Sequence, residues 1–216
     1  MHKIILFLFF LNFTHAQSLQ EANDYLDHSD YKNAMMLFLK LQSNAKLNKD
    51  VSAQIAAQNG IAACYIDLGA NYKALALLKE NNQILLQHKS GDYELLAQTH
   101  KLLADSYINL YLLEEYFKEC HLFYKYYQKA YPNKEIYKAL YYAYVGRYYN
   151  MRFMIPEAFK HTNDALNIYH KNKKEAHLIE EYVLYNAHVF TIRNTLPLNS
   201  KPKFKYVDSL TYFLNK

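Results

Sequence analysis

Gly146-Arg147-Tyr148-Tyr149, with Ala158 nine residues after Tyr149, sets a spacing that recurs along the whole chain. A small residue followed three positions later by an aromatic appears as Ala22/Tyr25, Ala62/Tyr65, Ala104/Tyr107, Gly146/Tyr149 and Ala187/Phe190, in steps of 40, 42, 42 and 41 residues. Nine residues after each of the first four aromatics comes a second mark, at Ala34, Ala74, Tyr116 and Ala158. Four residues further comes a third, at Phe38, Leu78, Cys120 and Thr162. A fixed period in the range of roughly 20–50 residues signals stacked repeats. Three residues are nearly one helical turn, so the small residue and the aromatic share one face of a first helix. The small residue admits a second helix closely, and the alanine at the second mark sits where the two helices cross. Tyr116 departs from that rule. The expectation is an all-α solenoid of about five antiparallel helix pairs, over about residues 18–46, 50–89, 92–131, 134–171 and 175–216.

Helix boundaries follow from local chemistry. Asp30 and Asp92 suit helix N-caps, Gly69 suits a left-handed helix end, and Pro132-Asn133 stops a helix. Pro156 suits a first helical position, where a missing N–H is harmless. The longest turn-rich break is Leu196 to Lys203, before a last helix from Tyr206 to Phe213. A terminal cap normally shows a polar outer face. Asp208, Thr211 and Lys216 supply little of one, which fits a longer array.

These marks resemble the tetratricopeptide (TPR) repeat, whose signature places a small residue, an aromatic, a turn, an alanine and an aromatic at these offsets. The best matches are Ala22-x-x-Tyr25 with Ser29 to Ala34 and Phe38, and Gly146-x-x-Tyr149 with Pro156-Glu157-Ala158 and Ala165. The chain has no Trp, so the signature's opening Trp is missing, and the step exceeds the family's usual ~34. The resemblance implies a right-handed TPR-like superhelix whose first helices line a concave surface that binds extended peptides or partner helices. It also implies the residues to test there: Asn59, Gln98, Lys101, Asn109, Arg147, Asn150 and Asn186.

Tyrosine is the compositional anomaly, 23 in 216 residues. An apolar ring with a polar tip suits both a core and a recognition groove. Tyr25, Tyr65, Tyr107 and Tyr149 fall in repeat phase and read as core, with Tyr142 on the same face. Tyr137, Tyr141, Tyr144 and Tyr148 form a second stripe on another face of one helix, and Tyr141, Tyr144 and Tyr148 join the candidate partner-binding residues.

The N-terminus reads as a secretory signal peptide, residues 1–16. Lys3 is followed by an almost wholly apolar run from Ile4 to Phe13, and Thr14-His15-Ala16 precedes Gln17 with small residues. Ten apolar residues are too few for a span of about 20, so no stable membrane anchor is expected, and the mature chain is expected to be periplasmic or secreted. Removing Lys3 lowers the formal charge from +5 to +4. That mild charge argues against nucleic acid as a partner, and the short runs Lys171-Asn172-Lys173-Lys174 and Lys201-Pro202-Lys203 fall at predicted turns and read as solvated loop charge. Four Gly and four Pro argue against sheet-rich or disordered alternatives. Cys64 and Cys120 read as buried free thiols, with a disulfide the alternative.

No catalytic motif, Gly-rich phosphate loop or His-Glu-x-x-His pair is present, so no enzyme activity, metal or cofactor is expected. Glu114-Glu115 and Glu180-Glu181 are adjacent on helices, point about 100° apart, and read as solvated faces. The sequence therefore points to an exported, non-enzymatic scaffold for a protein or peptide partner. Such exported repeats also resemble those that precede caspase-like CHAT peptidase domains or sensor kinases. By that resemblance the chain would be the recognition part of a larger enzyme whose His/Cys dyad it lacks. Glycan stacking on tyrosines is a third reading, weakened by the missing Trp.

Overall fold

The computed structural model describes residues 18–88 and 91–172. The predicted fifth repeat, the last helix and the signal peptide lie outside them. Eight helices and no strand occur among the described residues. They are α1 (18–27), α2 (Tyr31–Leu47), α3 (Val51–Asp67), α4 (Asn71–Gln87), α5 (Tyr93–Asn109), α6 (Leu113–Ala130), α7 (Ile136–Met151) and α8 (Ile155–Lys171). The all-helical expectation holds, and the helices of the first four predicted repeats are in place.

The repeat marks fix the turns as well as the core. In each of the four repeats among the described residues the carbonyl of the aromatic mark accepts from the N–H five residues on, just before the next helix. These bonds are Asp30 N to Tyr25 O at 2.8 Å, Ala70 to Tyr65 at 2.7 Å, Leu112 to Tyr107 at 3.0 Å and Met154 to Tyr149 at 2.9 Å. Such a bond from beyond the helix end closes a Schellman-type turn, which needs one residue in the left-handed conformation. That residue is Ser29, Gly69, Tyr111 and Phe153 in turn, with φ of 59°, 76°, 58° and 58°. Four residues after the turn, the second mark donates back into it, Ala34 N to Asp30 O at 3.0 Å and Ala158 N to Met154 O at 3.0 Å. The spacing of nine is thus five residues of turn plus the first helical turn. Asp30 and Asp92 cap as expected, accepting from Asn33 N and Leu95 N at 3.2 Å each, and Pro156 sits in the first turn of α8.

The chain divides into two compact units at Leu112/Leu113, inside the predicted repeat 92–131. In the N-terminal unit α3 is central, packed on α2, α4 and α5. Ala22 of α1, Ala34, Phe38 and Leu41 of α2, and Ala57, Ile61 and Cys64 of α3 form one buried cluster. A side chain at Gly60 would overlap the Phe38 ring, so glycine there is what lets α2 and α3 meet. In the C-terminal unit α7 packs on α6 and α8, around Ile136, Ala139, Ala143, Ala165, Leu166 and Tyr169. A Cβ on Gly146 would stand 2.5 Å from Thr162 Cγ2 and 3.3 Å from the Ala158 carbonyl, so the three marks of that repeat touch one another.

All second and third marks are fully buried, Tyr116 included. Tyr116 is as buried as the alanines at the other second marks. Tyr116 fills its site, its hydroxyl donates to the Tyr144 carbonyl at 2.7 Å, and its ring stacks on Tyr144. The aromatic marks are less uniform: Tyr107 is buried, while Tyr25, Tyr65 and Tyr149 are half-buried. Cys64 and Cys120 are both buried and free, and burial, with help from Asp67, pushes the Cys64 thiol up to about 11.

Candidate partner-binding surfaces

In the N-terminal unit, Asn59 is not a surface residue. It is 4% exposed and joins three helices. Its Oδ1 accepts from Asn81 Nδ2 of α4 at 3.0 Å, and its Nδ2 donates to Thr99 Oγ1 of α5 at 3.0 Å. Thr99 donates in turn to the Leu95 carbonyl at 2.8 Å. Burial without partners would cost each amide a few kcal/mol, so this chain fixes the lateral register of α3, α4 and α5. Sequence reasoning missed Asn81 and Thr99.

The other three candidates of this unit share one face of α5. Glu94, Gln98, Lys101, Asp105 and Asn109 recur at helical spacing. Gln98 donates to Glu94 at 3.3 Å, and Lys101 pairs with Asp105 at 3.4 Å. Asn109 is exposed and donates to Asn71 Oδ1 at 3.3 Å, which ties the end of α5 to the start of α4. The side chains beside that tie are apolar and exposed: Leu68, Tyr72, Tyr111 and Leu112. Tyr111 is the left-handed residue of its turn and 74% exposed. Burial, and then Asp105, raises the Asp67 carboxyl above its usual range, while Lys101 pulls it down and Asp27 adds to the rise. Carboxylates of α1, α3 and α5 therefore act on one another. An open depression of about 300 Å³ beside α1 is lined by Glu21, Asp24, Tyr25, His28 and Asp30.

The C-terminal unit is built from stacked rings. Tyr144 and Tyr148, expected in a groove stripe, are 4% and 8% exposed and belong to the interior. Tyr144 packs edge-on to Phe123, centroids 5.0 Å apart, and stacks on Tyr116. Tyr148 stacks on Phe117 at 4.3 Å and donates to Glu114 at 3.3 Å; Glu114 also pairs with Arg152. Asn150, expected at the surface, is 1% exposed. The reason is common to Asn59, Tyr144, Tyr148 and Asn150: a central helix is covered on several sides, so polarity at a position does not place it outside. Tyr141 is half-buried against Tyr124, with rings 4.5 Å apart and nearly parallel. Burial raises both hydroxyls above the usual range. Arg147 is exposed, and Asn186 lies outside the described residues.

His161 of α8 stacks on Tyr149, centroids 5.3 Å apart and planes 5° from parallel, with Tyr142 at 5.6 Å. Its Nδ1 is buried without a protein partner. Burial lowers its pKa, Asp164 opposes that, and Lys160 adds to it. Among the described residues, no three His, Cys, Asp or Glu side chains converge to hold a metal ion. No known family profile matches the sequence, and a search of curated proteins finds no match.

Proposed function

We propose that this chain is an exported, non-enzymatic scaffold of TPR-like build that binds a protein or peptide along the side formed by its first helices. The observation that carries the reading is the polar face of α5. The repeat marks are spent on packing, while half-buried Gln98 and Lys101 and exposed Asn109 make a polar row on one face of α5, bonded to Glu94, Asp105 and Asn71. Extended peptides and helices dock on such rows through a few polar contacts backed by rigid helices. Among the described residues no helix is long and apolar enough to cross a membrane.

Photo-crosslinkers placed at Gln98 and, as a control on a second helix, at Lys40 test the docking. The expected result in the native cell is a discrete protein adduct from Gln98 and none from Lys40. No adduct at Gln98 sinks the proposal. Export is tested separately by sequencing the N-terminus of the mature chain, expected to begin at Gln17; a retained Met1 in the cytoplasmic fraction refutes it.

A further inference from the structure

Charge in the N-terminal unit is sorted by helix. The first helices α1, α3 and α5 carry Glu21, Asp24, Asp27, Asp67, Glu94 and Asp105 against a single cation, Lys101. The second helices α2 and α4 carry Lys32, Lys40, Lys46, Lys73 and Lys79 against a single acid, Glu80. One side of the unit is therefore anionic and the other cationic, in a chain whose formal charge is +5 overall. The C-terminal unit differs: α7, the first helix of its α7–α8 pair, carries Lys138 and Arg147 and no acid.

The anionic side is also shaped. Its carboxylates are exposed except Asp105, which is half-buried. At one place Glu21, Asp24 and Asp30 line the depression of about 300 Å³ with the Tyr25 ring in its wall. At another, Asp67 is exposed at the end of α3, and Asp105 of α5 pairs with Lys101 at 3.4 Å. Beside those carboxylates the exposed apolar side chains of Leu68 after α3, Tyr72 at the start of α4 and Tyr111 after α5 stand in the solvent. Holding Tyr111 in the left-handed region costs about 1–2 kcal/mol, and its ring gains almost no burial in return. Like charges side by side gain from an arriving cation, and Lys or Arg over an aromatic face gains further.

We infer that the first-helix side of the N-terminal unit docks a cationic, partly apolar segment of the partner protein. One Lys or Arg enters the depression by Tyr25, and another meets Asp67 and Asp105. Apolar residues of the segment lie on Tyr111 and Tyr72, beside Asp67 and Asp105. The inference rests on the docking reading above and adds the chemistry of the partner.

The test uses the whole chain and fluorescence anisotropy with two labelled peptides of about 12 residues, one of mixed Lys and Leu and one with Glu for each Lys. The expected result is binding of the Lys peptide only, weakened about tenfold by high salt. Asp67→Asn with Asp105→Asn, and separately Glu21→Gln with Asp24→Asn, weaken it about tenfold each, while Lys32→Gln with Lys40→Gln does not. Equal or tighter binding of the Glu peptide, or carboxylate variants without effect, overturns the inference. So does salt-sensitive self-association in light scattering without peptide, because the cationic side of a second copy would then be the occupant. A Gln98 adduct that persists while the Lys peptide fails removes the cationic partner and leaves the docking; loss of the adduct removes both.

Discussion

The N-terminal and C-terminal units carry the same repeat marks at the same spacing, yet they are held together by different chemistry. The first packs aliphatic and alanine side chains around α3 and joins three helices through Asn59, Asn81 and Thr99. The second packs tyrosines: Tyr127 on Tyr137 at 4.1 Å, Tyr124 on Tyr141, and Tyr148 on Phe117. Each such ring pair adds about 0.5–1.5 kcal/mol beyond its area burial. The difference teaches that the marks govern where helices turn and cross. What fills the space between crossings, and what faces outward, is free to vary.

The largest effect that would break this comparison is expected at Tyr116. Had the second mark required a small residue everywhere, Tyr116→Ala would be neutral. The structure predicts instead a loss of about 3–5 kcal/mol in chemical denaturation, from the emptied ring volume and the lost hydroxyl bond to Tyr144. The next effect sharpens the polar side of the contrast. Asn59→Ala removes the acceptor of the buried Asn81 amide and the donor to Thr99 and should cost about 1–3 kcal/mol, whereas Asn109→Ala, at an exposed contact, should cost well under about 1 kcal/mol.

The turns test what the two units share. Tyr111→Gly in one and Phe153→Gly in the other should each raise stability by about 1 kcal/mol, since both rings are exposed and both φ values are positive. Gly69→Ala at the equivalent turn should lower it by a similar amount. A destabilised Phe153→Gly variant would show that the ring supports the fold. The smallest effect is a pH slope confined to the C-terminal unit. His161 has a folded pKa below its unfolded value, so the unfolded chain takes up the proton first. The stability that its neutral form contributes is present above about pH 6.5 and declines as the pH falls below it. Thermal melts between about pH 5 and 8 should show that slope flattened in His161→Phe; an unchanged slope assigns it elsewhere.

Much of this architecture was legible in the sequence because helical geometry repeats. Ala22, Ala62, Ala104 and Gly146 are buried, as are the second and third marks that follow them, and Asp30, Asp92, Gly69 and Pro156 predicted the ends of helices. The candidate surface was legible only in part. Gln98, Lys101, Asn109 and Arg147 reach the surface, half-buried or exposed, but Asn59, Asn150, Tyr144 and Tyr148 do not. Periodicity places residues on a face of their own helix, and it does not say how many neighbours cover that face.

By itself the sequence determined, among the described residues, the helices, the turns that close the first four predicted repeats and the buried marks, because those depend on spacing within about 15 residues of chain. Tertiary structure alone decided that Asn59 bonds across α3, α4 and α5, that Tyr116 is accommodated, and that acidic α1, α3 and α5 act on one another. Those outcomes depend on which faces meet across helices tens of residues apart, and burial and Coulomb energy are set by that meeting.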